Sequence, residues 1–231
     1  MLDPRLEVTG FGAYPHRFAA LVDIVSRRSR PVSIISAACH NGAETYSAAM
    51  YLHDAGIAAQ IVAHDGDAGH HERAVCGEYL RTEIEIDFAM GRLPQRFRRY
   101  FVPCVDPDRL TIREDIRAMV DVALSPRLLP RDGIASADVI MIRNAWVHLR
   151  PGQRLDLLGR LRSALNPSGV IFTRSNHRAE MSAACPELTA QPIGRSQHIY
   201  GRPWPDFRDR LAPIAMAPAV DPLPNRAGSR D

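Results

Sequence analysis

The chain has 231 residues, 45% of them hydrophobic and 24% charged, with a formal net charge of +3. All 29 basic side chains counted as Lys or Arg are arginine, which excludes a Schiff-base or pyridoxal-phosphate lysine, a phosphate-loop lysine and a Ser-Lys dyad. The length fits a single domain whose core needs neither a disulfide nor a metal.

Residues 1–30 read as a lead-in segment: a loop through Gly10, Gly12 and Pro15, then the helix-like FAALVDIVSRRSR. The main domain is expected over residues 31–202. VSIISA, after Pro31, has the β-branched content and length of a buried strand. AACHNGAETYSAAMYLHDAG has helical periodicity, with Ala48, Ala49, Tyr51 and Leu52 near one face and Gly56 as its stop. AQIVAHD is a second short strand closing on acidic residues, and GHHERAVCGEYLRTEIE reads as one helix. Residues 88–115 are irregular and predict a small inserted subdomain, after which RAMVDVAL returns as a central strand. ADVIMIRN is a clean buried strand. GQRLDLLGRLRSAL follows as an amphipathic helix with Leu155, Leu158, Leu161 and Leu165 on one side. NPSG punctuates its end, VIFTRS is the next strand, and QHIYGR a late edge strand. Residues 203–231 form a proline-rich tail, extended or wrapped over the surface.

The arginines are scattered apart from Arg27-Arg28-Arg30 and Arg96-Arg98-Arg99, which read as solvated helix faces; no nucleic-acid partner is expected. Cys39, Cys76, Cys104 and Cys185 lie far apart, without ligand-like spacing, and read as small buried hydrophobes in a reducing cytosol. His16 and His70-His71 show no metal-ligand pattern, so no metal is expected. No apolar run approaches a membrane span and MLDPRLEVTG has no signal-peptide character, so the expected location is cytoplasmic.

Strands alternating with helices predict an α/β domain with a largely parallel sheet, and such sheets bind ligands at the carboxyl ends of their strands. At the first such end, SAACHNGAETYS supplies small residues and Gly42 before a helix amino terminus, where a ligand can approach the backbone. It is not GxGxxG, because Ala38 stands where a first glycine belongs, so a dinucleotide pyrophosphate fits poorly. The second strand ends in HDGD. Asp65 is placed to accept bonds from ribose hydroxyls, whereas Asp67 suits a helix N-cap. An adenosine-type ligand without pyrophosphate points to S-adenosyl-L-methionine, with S-adenosylhomocysteine as product.

With that ligand in view, the order of motifs resembles the CheR-type methyltransferases, which methylate glutamates of chemotaxis receptors. SAACHNGAETYSAAM resembles their first motif, HDGD with AVCGEYL their acidic strand end and AxxGxY, and LPQRFRRYF their LPxxLxRYF. DVIMIRNAWVHLRPGQRLDLLGRLRSALNPSGVIF resembles their strand with the RN pair, the helix after it and LxPGGxLF. The match runs over residues 36 to 173, with an echo at QHIYGR. It implies a Rossmann-like class I methyltransferase fold: seven strands, mostly parallel, with helices on both faces. It further implies that Glu44 holds the methionine part of the cofactor, that Asp65 binds its ribose, that Asn144 and Ala145 line the pocket, and that the Ala38 backbone passes the cofactor.

Departures from the family concern the acceptor side. At most 30 residues stand where the family has an all-helical domain. In TGFGAYPHRF, Ala13 or a neighbour takes the place of the family's arginine beside the transferred methyl. The family tyrosine becomes His148. Its adenine-facing asparagine becomes Ala123, leaving Asp121 as a substitute cofactor contact. A carboxylate acceptor needs no base, whereas a hydroxyl, thiol or amine acceptor benefits from one, and His148 at a strand end suits that role. The leading expectation is therefore methyl transfer to a small molecule or another non-chemoreceptor acceptor, with His148 catalytic. The alternatives are protein-glutamate O-methyl transfer, with a protein carboxylate as partner, and a cofactor-binding module without activity.

Overall fold

The computed structural model describes residues 10–26, 28–125, 136–142, 149–174, 178–193 and 197–202. The predicted site residues Asn144, Ala145 and His148, and the tail from residue 203, lie outside the described residues.

The lead-in contributes helix α1 (Pro15–Val25), opened by a proline at its first position and buried through Phe18, Ala20, Leu21, Ile24 and Val25. Then β1 (Val32–Ala37), α2 (Ala43–Asp54), β2 (Ala59–Asp65) and α3 (Ala68–Cys76) follow in strand–helix alternation. The stretch GHHERAVCGEYLRTEIE is not one helix. Gly77 at φ 65 closes α3 in the left-handed conformation that glycine adopts without penalty. Next, β3 (Glu78–Leu80) pairs with a later strand before α4 (Arg81–Ala89) begins. A 3₁₀ turn (Gln95–Tyr100), β4 (Phe101–Pro103), β5 (Arg109–Ile112) and α5 (Glu114–Arg117) lead to β6 (Val120–Leu124). The main sheet resumes with β7 (Ala137–Ile142), α6 (Pro151–Ala164), β8 (Leu165–Arg174), α7 (Arg178–Ala184), β9 (Thr189–Ile193) and β10 (Gln197–Gly201).

The seven-stranded sheet has the order β6-β2-β1-β7-β8-β10-β9. Its strands β6, β2, β1, β7 and β8 are parallel neighbours, and β10 runs antiparallel between β8 and β9. Two strand positions differ from expectation. RAMVDVAL supplies the edge strand β6 rather than a central one, and QHIYGR forms β10 inside the sheet, because TAQPI pairs on its outer side as β9. NPSG does not separate helix from strand. It is absorbed as an irregularity in β8, whose ladder to β7 shifts between Ala137 and Val139. A second sheet, β3-β5-β4, takes its first strand from residues 78–80, ahead of the 88–115 excursion.

One core packs α1, α2 and the small sheet against one face of the main sheet, and a second packs α6 and α7 against the other. On α6, Leu157, Leu158 and Leu161 are buried while Leu155 is 65% exposed. Leu165 has already entered β8, so the apolar stripe is narrower than the leucine spacing suggests. Cys39 and Cys185 are buried, but Cys76 is exposed and Cys104 half-buried, so only two of the four cysteines are core residues. Arg96 and Arg99 both bond Asp54, and Arg98 makes a two-pronged bond to Glu85, which engages that cluster in side-chain ion pairs.

At the amino ends of the strands, Asp138 is fully buried and collects Arg28, Arg30, Asn166 and the Ser33 amide. One carboxylate thereby joins the segment after α1 to the starts of β1, β7 and β8. Burial works to raise its pKa, but these donors outweigh it and hold the carboxyl below its ordinary value.

Candidate functional site

The carboxyl ends of β1 and β2 meet in a tight turn. Beyond Ala37 the chain passes through two left-handed residues, Ala38 (φ 55) and His40 (φ 53), the positive-φ residues other than glycine among those described. Such a conformation is costly without a glycine and persists where its surroundings enforce it. Here the enforcement is visible. The Cys39 N–H donates to His64 O at 3.0 Å, the Gly42 N–H to Cys39 O at 3.0 Å, and the His40 N–H to Asp65 Oδ2 at 2.7 Å. Gly42 itself sits at φ 82, and a Cβ there would press on Ala74 Cβ at 3.1 Å. The helix that follows is stitched back to the strand by Ser36 and Thr45, whose hydroxyls are 2.9 Å apart.

Asp65 closes β2 and is 6% exposed. Its Oδ1 accepts from the Asp67 N–H at 2.9 Å, so backbone amides from two loops hold both oxygens. A carboxylate has about four lone-pair sites, which leaves acceptor capacity for the hydroxyls of a ribose diol. Asp67 caps α3 by accepting from the His70 N–H at 2.8 Å. The His70 ring lies tilted against His40 with centroids 3.7 Å apart, and its Nδ1 stands 3.4 Å from Asp65 Oδ1. Burial, then the Asp65 charge, push the Cys39 thiol up to about 12, so it stays protonated in this turn.

Glu44 lies in the first turn of α2, with its side chain 18% exposed, and pairs with Arg17, whose side chain is 2% exposed. The Arg17 guanidinium carbon lies 5.6 Å over the ring centroid of Phe172, near the carboxyl end of β8. The structure therefore brings Ala38, Glu44 and Asp65 to one end of the sheet and adds Arg17. Asp121 stays apart. It lies opposite Val62 on the edge strand, sharing a sheet face with Val62 and His64 rather than with Asp65, and its charge opposes the downward shift that burial imposes on His64. A cavity of about 260 Å³ beside it is lined by Tyr46, Arg117 and Val120.

This architecture is shared with solved proteins. The chain resembles the N-methyltransferase NodS from Bradyrhizobium japonicum, in complex with S-adenosyl-L-homocysteine, with a TM-score of 0.51 at 12% identity over 87% of this chain and 92% of that one. It resembles the methyltransferase domain of bacterial-CtHen1-C with a TM-score of 0.50 at 13% identity, over 82% of this chain and 98% of that one. Fold and strand-end site together define the class I methyltransferase architecture. The family can be named more narrowly: residues 7–184 match the CheR methyltransferase SAM binding domain, and the chain belongs to that family. Among curated relatives, a probable biofilm formation methyltransferase WspC from Pseudomonas putida is 30% identical over 91% of this chain and 49% of its own length. A chemotaxis protein methyltransferase from Escherichia coli is 30% identical over 71% of this chain and 58% of its own length. The chain thus spans about half the length of the curated relatives it matches.

Proposed function

We propose that this chain is an S-adenosylmethionine-dependent methyltransferase acting on a protein carboxylate, in the manner the CheR family likeness implies. The bound cofactor supplies an electrophilic methyl group on a sulfonium sulfur. An acceptor carboxylate oxygen forms the new bond to that methyl carbon as the carbon–sulfur bond breaks, and the sulfur keeps the electron pair. No proton moves, so the reaction asks for in-line placement and dryness rather than a base. In this reading Asp65 accepts from the ribose hydroxyls, Glu44 faces the methionine ammonium, the Ala38 backbone passes the cofactor, and Asn144 and Ala145 line the pocket.

The observation that carries the cofactor assignment is the buried Asp65 fixed by the amides of two loops at the strand ends. For the acceptor, the support is the family match. The sequence placed no cation beside the acceptor in TGFGAYP, which argued against a carboxylate. The family match outweighs that gap, although Arg17, four residues past Ala13 and buried at that end of the sheet, is already paired with Glu44.

Calorimetry with S-adenosylhomocysteine tests the cofactor reading, and an absence of binding at high micromolar concentration overturns it. Methyl label that leaves the product as methanol in mild base marks a carboxyl ester; a base-stable product would instead favour the small-molecule hydroxyl, thiol or amine reading. The His148→Ala variant separates the same two. Carboxylate transfer keeps its rate at every pH, whereas a base-dependent acceptor loses about a hundredfold or more.

A further inference from the structure

We infer that His70 makes the ribose site sensitive to protonation: a charged imidazole occupies the acceptor site on Asp65 Oδ1 that a ribose hydroxyl uses, so the cofactor binds the form in which His70 is neutral. The inference rests on the cofactor reading above and gives a part to a residue that lies between HDGD and AVCGEYL, in neither motif. Asp65 Oδ1 already accepts from the Asp67 N–H at 2.9 Å, and a carboxylate oxygen has about two lone-pair sites. His70 Nδ1 stands 3.4 Å from the same oxygen and 3.9 Å from Asp67 Oδ1. Neutral imidazole can keep its one proton on Nε2 and leave Nδ1 without a donor, whereas imidazolium carries a proton on both nitrogens. The second proton therefore arrives between two carboxylates, where it competes with a ribose hydroxyl for one remaining site.

The ring is held in place from two sides. Asp67 accepts the His70 N–H at 2.8 Å and so fixes the start of α3, and the His40 ring lies against the His70 ring. His40 also places its own N–H on Asp65 Oδ2 at 2.7 Å. The two histidines thus approach both oxygens of one carboxylate, His40 through its amide and His70 through its ring. The Asp65 side chain is 9% exposed and that of His70 34%, so the imidazole exchanges protons with solvent beside an acid that is nearly dry. Imidazole is the side chain whose charge changes between about pH 5 and pH 8. The other groups around α3 hold one charge state there. The His70 amide keeps the Asp67 carboxyl below its ordinary value. Cys39, in the turn after β1, and Tyr46 of α2, whose hydroxyl donates to Ala74 O, stay protonated because burial pushes each up to about 12. Arg117 of α5 reaches the far end of α3 at Val75 O, Arg73 lies one turn on from His70, and a guanidinium keeps its charge throughout. His71 is turned away, with Nε2 3.3 Å from Val122 O of β6, and Asp121 of β6 lies on the other face of the sheet. His70 and His40 remain as the groups that couple this interval to Asp65, and rings so close disfavour a charge on both.

The test is calorimetry of S-adenosylhomocysteine binding from about pH 8 down to about pH 5.5, joined to an NMR titration of the His70 ring, whose signal is identified by its loss in His70→Phe. Wild-type affinity is expected to fall by about fivefold or more over that interval, a factor usual for coupled sites. His70→Phe keeps a ring against His40 but cannot be protonated, and the fall shrinks to less than about twofold. His70→Gln gives the same result and serves where the phenylalanine variant folds poorly. Because coupling is reciprocal, bound S-adenosylhomocysteine lowers the His70 titration midpoint by the logarithm of the same factor. In the free protein Asp65→Asn lowers that midpoint too, since the ring loses a neighbouring negative charge. Wild-type affinity that is flat or rises toward low pH overturns the inference while leaving Asp65 as the ribose residue. So does a full fall that survives in the His70 variants, or a His70 midpoint unmoved by the ligand or by Asp65→Asn. A wild-type chain that binds no S-adenosylhomocysteine at any pH overturns the cofactor reading and the inference with it.

Discussion

At the scale of single residues, Asp65 and Arg17 illustrate what pattern reading sees and what it misses. Asp65 stood out because an acid at the end of a second parallel strand can accept from ribose hydroxyls as well as cap a helix, and in the structure the strained His40 N–H and the Asp67 N–H grip its two oxygens. Asp65→Asn keeps the shape but removes the charge and half the acceptor capacity. It should weaken S-adenosylhomocysteine binding about 10- to 100-fold in calorimetry, the range for losing charged hydrogen bonds. No motif marks Arg17, since the family's arginine falls at Ala13 or a neighbour. A local signal was nevertheless present. Arg17 falls on the same helical stripe as Ala20, Leu21 and Ile24, all buried, and a charged residue on an apolar stripe is the exception that calls for a partner. No sequence rule names Glu44 as that partner, since the two are 27 positions apart.

At the scale of elements, the alternation of strands and helices was readable, and errors gathered where pairing between distant segments decides the outcome. A helical pattern continues through GHHERAVCGEYL, yet Glu78–Leu80 becomes a strand because Arg109–Ile112 lies alongside it. β-Structure of three residues has too little pattern to compete with the helical periodicity around it. The same holds for TAQPI, which carries a proline and still pairs as β9 at the sheet edge, the position where proline is tolerated. The loop before α1 makes an element-level prediction. Gly12 sits at φ 59, and a Cβ on it would lie 2.2 Å from Arg92 O, a backbone atom that cannot rotate away. Gly12→Ala should therefore cost about 2 kcal/mol or more in denaturant unfolding, and it should loosen the Gly12–Ser47 bond that sets α1 on α2.

For the whole molecule, the two ends of the main sheet do different work. The residues proposed for the cofactor gather at the carboxyl ends, while at the amino ends Asp138 fastens three strands and the segment after α1. Its carboxyl pKa is depressed in the folded state, so its contribution is complete above the unfolded carboxylate value of about 3.9 and disappears as pH falls through the folded value. Asp138→Asn should thus destabilise the chain by about 2 to 4 kcal/mol near neutral pH. The gap to wild type should shrink in urea titrations between about pH 5 and pH 3. Overall class was legible in full from the alternating pattern, whereas this anchor was not, because Arg28, Arg30 and Asn166 reach Asp138 from 110, 108 and 28 positions away.

Among the described residues, a hydrogen bond joins the small sheet to the turn after β1. Tyr79, in β3, donates its hydroxyl to Asn41 O at 2.6 Å, and its ring takes the edge of Phe11 from the loop before α1. Asn41 lies between strained His40 and the glycine that begins α2. Tyr79 is therefore a strut shared by three parts of the chain that are far apart in sequence. A displacement of the small sheet would draw on the Asn41 carbonyl, one residue along the chain from the amide that grips Asp65.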